Sequence, residues 1–541
     1  MYSHSRRRLA SAALLAATGL VASACVSSTS STAARTTDET IPLLNWALPY
    51  APASLDYAKN YSNNSTGAIM SLVTEPLEQV SAAGTFTPVL ATSVKQPNAT
   101  TLIYELRSGV KFSDGSALTA DDVAWSIQHF TASTAQSSAL GQDVSSATVT
   151  GPLEVTVKLG AAVPTARTGI DLATLVEEAK FAKAHASTLG NSGVAPIGTG
   201  PYKVASETAS TVTLVRNAEF TRTKPAPDKV VFTVISDDNA RQLALRSGSI
   251  AGGPVTDLRA GDEWKAIPGA TVYPAQSLSQ DFITFDTSNA PFSDVHVRRA
   301  IAYSVDRTGI AHAALNDFAT PLTSLIPAQE LSGVAGSDSA AAAFTASLPQ
   351  YPLSQSAAKS ELAQSAYPNG FTATIQYIAD QPWEQLTAES LQQNLKPLGI
   401  NLTLKSVTSD QWYAQFFQHT LTGINMPSEF SAGAPDPASL LGKLVGSANI
   451  GPQKLNIANW SMPAVNQAQA VVAVAGPNAA RWQASQTILS AVADQVPYIP
   501  LFTEDDVYAT GKGFAITGAG LTQFSLSNGT WIYLVKPTTS N

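Results

Sequence analysis

Between Tyr104 and Phe130 the chain reads YELRSGVKFSDGSALTADDVAWSIQHF, and its apolar spacing changes from strand-like to helix-like within a few residues. Leu102, Tyr104 and Leu106 alternate with Ile103, Glu105 and Arg107, a period of two that suits a strand with one buried face. Val110 to Phe112 is a second short extended run. Asp114-Gly115 is turn chemistry, with glycine free to take a positive φ. Thr119 stands three residues before Asp122, the spacing of a capping box that serves the free amides of a new helix. Val123, Ile127 and Phe130 then share one helical face. Nothing in the stretch is a nucleophile, a metal ligand or a phosphate loop. It reads as scaffold.

Within it, LRSGVKFSDGSALTADDVAWS resembles the signature of the extracellular solute-binding proteins of peptide and nickel importers of the ABC type. Further matches follow in order from roughly residue 45 to 510. Leu55-Asp56 is similar to the family's leucine-aspartate entry into its first loop, and Thr87 to Ala91 to its Pro-x-Leu-Ala. PIGTGPYKV (196–204), FITFDTSNAPFSDVHVRRAIAYSVD (282–306), GAPDPASLL (433–441) and VPYIPLF (496–502) complete the series.

A chain of 541 residues exceeds one ordinary core, so two or more domains are expected. Arg6, Arg7 and Arg8 precede the apolar run Leu9 to Val21, and Ala22-Ser23-Ala24 precedes Cys25, which reads as a secretory signal peptide. The run is shorter than the ~20 residues a spanning helix needs. Cys25 is the sole cysteine and lies where a lipoprotein signal is cut. The stretch resembles a lipobox, with Ala22 where leucine is more usual, and implies lipidation of Cys25. An ordinary signal peptide with an incidental cysteine is the plainer alternative. Losing residues 1–24 would remove three arginines and no acid, taking the formal charge from −8 to −11. So acidic a chain is a poor partner for nucleic acid, whose phosphates call for basic patches. Residues 26 to about 37, rich in Ser, Thr and Ala, read as a flexible tether.

Further along, Leu43 to Leu48, 147–159, Tyr202 to Val204, Leu214 to Asn217 and Asp228 to Ile235 predict strands. Arg241 to Ile250 predicts a helix stopped by Gly248. Thr372 to Ile378, Trp383 to Leu398 and Ile400 to Leu404 read as strand, helix and strand, with Gly399 ending the helix. That order implies a parallel pair and an α/β lobe.

None of the six histidines pairs with another at metal-ligand spacing on one helix, and with Cys25 given to lipid no Cys/His site can be built. The G-x-S-x-G elbow of serine hydrolases is absent, and Ser356 to Lys359 fits S-x-x-K without its partner motifs. Gly198-Thr-Gly200 lacks the third glycine of a dinucleotide loop and reads as a tight turn into a strand. Arg298 and Arg299 allow an anion site, with a solvated or salt-bridged helix start as the plainer reading. Glu504-Asp505-Asp506 reads first as a solvated acidic turn, then as a ligand-facing group, and last as paired carboxylates for acid–base work. Neither catalysis nor a cofactor is expected.

The resemblance implies an α/β, two-lobed periplasmic-binding-protein-like fold of type II, with mixed sheets in each lobe and an extra subdomain in the first. The implied division is signal peptide 1–24, tether 25–39, first-lobe core 40–60 with 199–280 and 507–541, extra subdomain 61–198, and second lobe 281–506. Crossings are expected near 280–285 and 503–508. It further implies a monomeric receptor, lipid-anchored to the outer face of the cytoplasmic membrane, that hands a solute to an ABC permease complex. An oligopeptide is the expected solute. An oligosaccharide or a nickel or haem chelate, a secreted hydrolase, and a signalling or adhesive binding module are the alternatives. By motif, the ligand residues would be Tyr61, Asn63, Trp412, Phe430, Ser431 and Phe502, each aromatic having core packing as its plainer role. Where peptide-binding relatives carry an aspartate three residues before Asp436-Pro437, this chain has Gly433. Glu429 or Glu504 would then have to meet a ligand ammonium, or the ligand has none.

Overall fold

The structure is a computed structural model. It describes residues 36–60, 64–132, 134–135, 137, 143–316, 318–379, 381–427, 433–518 and 521–539. Cys25 and the signal-like segment fall outside these residues, and so do Tyr61, Asn63, Glu429, Phe430 and Ser431.

The strand, turn and helix of the opening stretch are all present. Thr101–Leu106 is a strand with Leu102, Tyr104 and Leu106 buried, and Gly115 takes a φ of 92° in the turn. Asp122 N donates to Thr119 Oγ1 (3.3 Å) and Thr119 N donates to Asp122 Oδ2 (2.9 Å), so both halves of the capping box open the helix Ala120–Thr131. Ala91–Asn98, Thr101–Leu106, Glu154–Leu159 and Val144–Gly151 form an antiparallel four-stranded sheet in that order. Val123 and Ile127 close its apolar face, which with the sheet makes a small body with a core of its own.

A larger mixed sheet of 12 strands among the described residues carries the rest. In one half, Leu44–Leu48 lies parallel to Lys229–Val234 and to Gly252–Val255, with Trp46, Phe232 and Trp531 in the core beneath. In the other, Thr372–Ile378 lies parallel to Asn401–Val407 and to Ile424–Asn425. The expected strand, helix and strand are there, with helix Pro382–Leu395 between the parallel strands and Gly399 at a φ of 75° ending the connection.

One long strand, Tyr498–Thr510, belongs to both halves. Its first part pairs antiparallel with Asp281–Phe285, and its last part pairs antiparallel with Thr271–Gln276 and Gly252–Val255. Directions follow from these pairings. The long strand runs from the second half into the first, so Leu44–Leu48, Lys229–Val234 and Gly252–Val255 run toward the second. By the same reasoning Thr372–Ile378, Asn401–Val407 and Ile424–Asn425 run toward the first. Both sets of parallel strands therefore aim their carboxyl ends at one junction, the edge at which open α/β sheets bind ligands.

Three sequence readings take their final form here. Gly198 and Gly200 lie against the end of helix Asn64–Val73, where a Cβ would stand 2.2 Å from Val73 O and 2.6 Å from Leu72 O, so close backbone approach explains both. Glu504, Asp505 and Asp506 are not a turn: they sit half-buried inside the long strand, held by neighbours on both edges. Arg298 is neither solvated nor open to an anion. It is buried and donates to the carbonyls of Gln495 and Phe292, while Arg299 pairs with Asp494.

Candidate functional site

At the junction the chain passes from strand Thr271–Gln276 to strand Asp281–Phe285 through Ser277, Leu278, Ser279 and Gln280. Ser277 Oγ donates to Glu504 O (2.6 Å), tying this crossing to the long strand. Leu278 packs with Val80, Leu172 and Phe524, which brings the small body and the C-terminal segment to the same place.

Beside the crossing, Pro327 starts the short 3-10 helix Ala328–Leu331, which carries Glu330 inward. Gln280 Nε2 donates to Glu330 Oε1 (2.6 Å), and both side chains are fully buried. The Gln280 amide oxygen Oε1 and the second Glu330 oxygen Oε2 have no hydrogen-bond partner among the described residues; nor has Thr503 Oγ1 on the long strand. Burial, reinforced by the Asp436 carboxylate, pushes the Glu330 carboxyl well above the usual range.

A second group lies at the carboxyl ends of the parallel strands. Gln376 and Asn425 stand opposite each other, both buried, and Gln376 Oε1 and Asn425 Oδ1 are without partners among the described residues. Trp383 Nε1, at the start of the helix after Thr372–Ile378, is a buried donor in the same condition. Each such group costs about 1–3 kcal/mol of unrecovered desolvation. Several at one edge need an explanation, and a polar ligand is one.

The predicted site residues distribute unevenly. Trp412 is on helix Ser409–Gln418, which follows Asn401–Val407 at the junction edge. It is 1% exposed, stacked on Phe416 and packed with Ile378, Val407 and Ile457, while its Nε1 has no partner among the described residues. Phe502 lies in the core of the second half, edge-on to Trp383 at 5.4 Å. Leu55-Asp56 follows Leu44–Leu48 at the same edge of the first half. Burial works against the Asp56 charge, but His129 and Lys59 outweigh it and hold the carboxyl below its usual range. Asp56 also accepts from Ala58 N, so it clamps the start of the loop that leads to Tyr61 and Asn63.

Gly433 opens the Pro-Asp-Pro turn. Asp436 accepts from Arg481 Nη1 (3.0 Å) and from Ala438 N (2.8 Å), so its charge is committed to a helix and to its own loop. The turn also meets the small body: a Cβ on Gly84 would lie 3.3 Å from Pro435 Cγ. Nearby, Ala475 N donates to Ala162 O (2.8 Å), so the small body and the second half touch across the junction.

Gln280, Glu330, Gln376, Asn425 and Thr503 carry no local sequence signal. Only the fold brings them together.

Comparison with known proteins bears on this arrangement. The family model for bacterial extracellular solute-binding proteins, family 5 Middle, matches residues 85–452. The glutathione-binding protein GsiB of Shigella flexneri is 24% identical over 327 residues, which are 59% of this chain and 61% of GsiB, so the match spans less than two thirds of that relative. The ABC transporter substrate-binding protein CtaP of Listeria monocytogenes superposes with a TM-score of 0.78 at 20% identity, covering 93% of this chain and all of that one. DppA of Helicobacter pylori, solved in complex with the peptide STSA, gives 0.68 at 18% identity, covering 93% and 99%. At such identities the likeness speaks for the fold, the two-lobed type II periplasmic binding protein with mixed sheets.

Proposed function

The chain belongs to the bacterial extracellular solute-binding proteins, family 5, and from that membership we propose that it captures an oligopeptide between its two lobes and delivers it to an ABC permease. The observation that carries this reading is the junction, where both sets of parallel strands end and buried polar atoms lack partners among the described residues. Three of these atoms are amide oxygens, from Gln280, Gln376 and Asn425, and such acceptors suit the N–H groups of a peptide. DppA and the glutathione-binding relatives support the peptide class.

In this reading the core lobe comprises 40–60, 199–280 and 507–541, the extra subdomain 61–198, and the second lobe 281–506. Tyr61, Asn63, Phe430 and Ser431 would face the ligand from the loops, and Trp412 would back it from its helix. Phe502 would act through Trp383. Glu330 takes the place of the aspartate that Gly433 lacks: a ligand ammonium would draw it into its charged form. Closure is favoured because only the closed form brings both lobes to the ligand. Lipid on Cys25 would hold the monomeric receptor at the outer face of the cytoplasmic membrane.

Isothermal titration with a defined peptide mixture should show saturable binding, and Trp412→Ala should weaken it without unfolding the protein. Gly433 favours one second reading, the same receptor for a solute without an ammonium. Binding of an oligosaccharide or a metal chelate, with none of peptides, would replace the first reading by the second.

A further inference from the structure

The second half of the molecule contains a pocket of about 290 Å³ that none of the junction residues lines. Its walls are largely aliphatic, with Val305, Leu325, Leu348, Leu489 and Val492 among them, and its floor is the start of the long strand, Tyr498 to Pro500. Leu353 stands at the rim, 47% exposed.

Two ionisable groups of opposite sign line this pocket, Asp306 and Arg307. Asp306 is already used: it caps helix Arg307–Leu315, accepting from Gly309 N at 3.0 Å. Arg307 donates through Nε to Pro500 O (2.6 Å) and through Nη1 to Tyr351 O (2.8 Å). Both partners are neutral carbonyls, and no carboxylate pairs with Arg307 among the described residues. Its Nη2 makes no hydrogen bond there either. Other enclosed arginines differ. Arg167, Arg222, Arg241 and Arg481 each hold a carboxylate, and Arg298 spends all three nitrogens on carbonyls. Burial also pulls the Arg307 guanidinium down to about 10, the direction expected of a desolvated cation without a counter-ion. A cation in that position favours an anionic partner, and a planar fork favours a carboxylate.

We propose that this pocket is a second ligand site for a small amphiphilic carboxylate, whose head meets Arg307 Nη2 and whose acyl chain lies among the aliphatic walls. Polarity and size agree with such a ligand, since a mostly apolar cavity with a few placed polar groups is the usual design of a small-molecule site, and the volume is near the lower end of the usual range of about 300–1,000 Å³.

Calorimetric titration of the full chain with octanoate, 1-octanol and octylammonium tests this. Octanoate should bind at least tenfold more tightly than octanol, and octylammonium not at all. Arg307→Gln should abolish the preference for octanoate, and Arg307→Lys should retain part of it. Val492→Phe, which fills the pocket and leaves the guanidinium in place, should block all binding. Equal affinity for octanoate and octanol, or octanoate binding unchanged in Val492→Phe, would overturn the proposal. Should Arg307→Gln fail to fold, Arg307→Lys and Val492→Phe decide the matter. Peptide binding should persist at saturating octanoate. Competition between the two would place octanoate at the junction and overturn the second site, without touching the peptide reading.

Discussion

The small body and the junction are built by opposite means. In the small body, strands Ala91–Asn98 and Thr101–Leu106 are sequence neighbours, and the helix that covers them starts fourteen residues later. Period, turn and cap all act over short distances and agree with one another. At the junction, Gln280, Glu330, Gln376, Asn425 and Thr503 arrive from five separate segments, and their polar atoms break the rule that buried groups find partners. The first region shows how a scaffold specifies itself. The second shows what a scaffold is for, because groups left unsatisfied by the fold remain available to something else.

The largest loss is expected in the scaffold. Ile127 is fully buried in the small body's core, and Ile127→Ala should cost about 2–5 kcal/mol. The urea midpoint should fall accordingly, while the ligands bound at low denaturant stay the same. A changed ligand class with unchanged stability would mean that the small body is more than scaffold.

Glu330→Gln is the matching experiment at the junction. The amide oxygen can still accept from Gln280, but no anion remains for a ligand ammonium. Affinity for peptides with a free amino end should fall ten- to a hundredfold, about 1.4–2.8 kcal/mol, and affinity for N-acetylated peptides should hardly change. An equal loss for both would make Glu330 a structural residue.

These two sites also show how much could be read from sequence. The strand, turn, cap and helix of Tyr104 to Phe130 were legible because each is decided within a few residues. So was the parallel pair 372–378 and 401–407, from its apolar spacing and Gly399. Glu504 to Asp506 misled because acids in succession disfavour a strand locally, yet pairing on both edges imposes one. Gln280 and Glu330 lie fifty residues apart in sequence. Nothing near either marks it as half of a buried pair, so the carboxyl proposed here to stand in for the one absent at Gly433 emerges only from tertiary contacts. Trp412 was singled out through a motif, which carries neither its burial nor the lack of a partner for its Nε1 among the described residues.

Glu177 lies on the scaffold side, yet neither of its carboxyl oxygens has a hydrogen-bond partner among the described residues. It is fully buried, and burial, followed by the Asp56 charge, raises it well above the ordinary 4.5. Between that ordinary value and the raised one, the folded state holds a proton that the unfolded state has lost. Stability therefore declines as pH rises through this window. Asp56 has the opposite sign: its lowered carboxyl stabilises above the ordinary 3.8, and that stability is lost only in stronger acid. Wild type should thus have a lower urea midpoint at pH 8 than at pH 5. Glu177→Leu should recover about 1–3 kcal/mol at pH 8 and make the profile shallower, the raised Glu330 carboxyl still sloping it the same way, with peptide binding intact. A midpoint that rises from pH 5 to pH 8 would contradict the sign, and lost peptide binding would move Glu177 to the ligand side of the comparison.

The smallest expected effect tests whether local rules alone hold the scaffold. Thr119→Ala removes the hydroxyl that accepts from Asp122 N but leaves the main-chain bond from Thr119 N to Asp122 Oδ2. Asp122 is tied down independently, since its Oδ1 accepts from Ala179 N at 2.9 Å, a contact 57 residues away. A cap acting only through its own helix should cost about 1 kcal/mol. If the Ala179 bond fixes the carboxylate regardless of Thr119, the loss should be smaller, and Asp122→Ala should then exceed Thr119→Ala by more than a shared cap predicts. Equal losses would mean that the two residues act as one local unit, as the spacing of Thr119 and Asp122 predicts. A larger loss for Asp122→Ala would show that even the most legible stretch of the chain is finished by a distant contact, narrowing the contrast with the junction to the presence or absence of a partner.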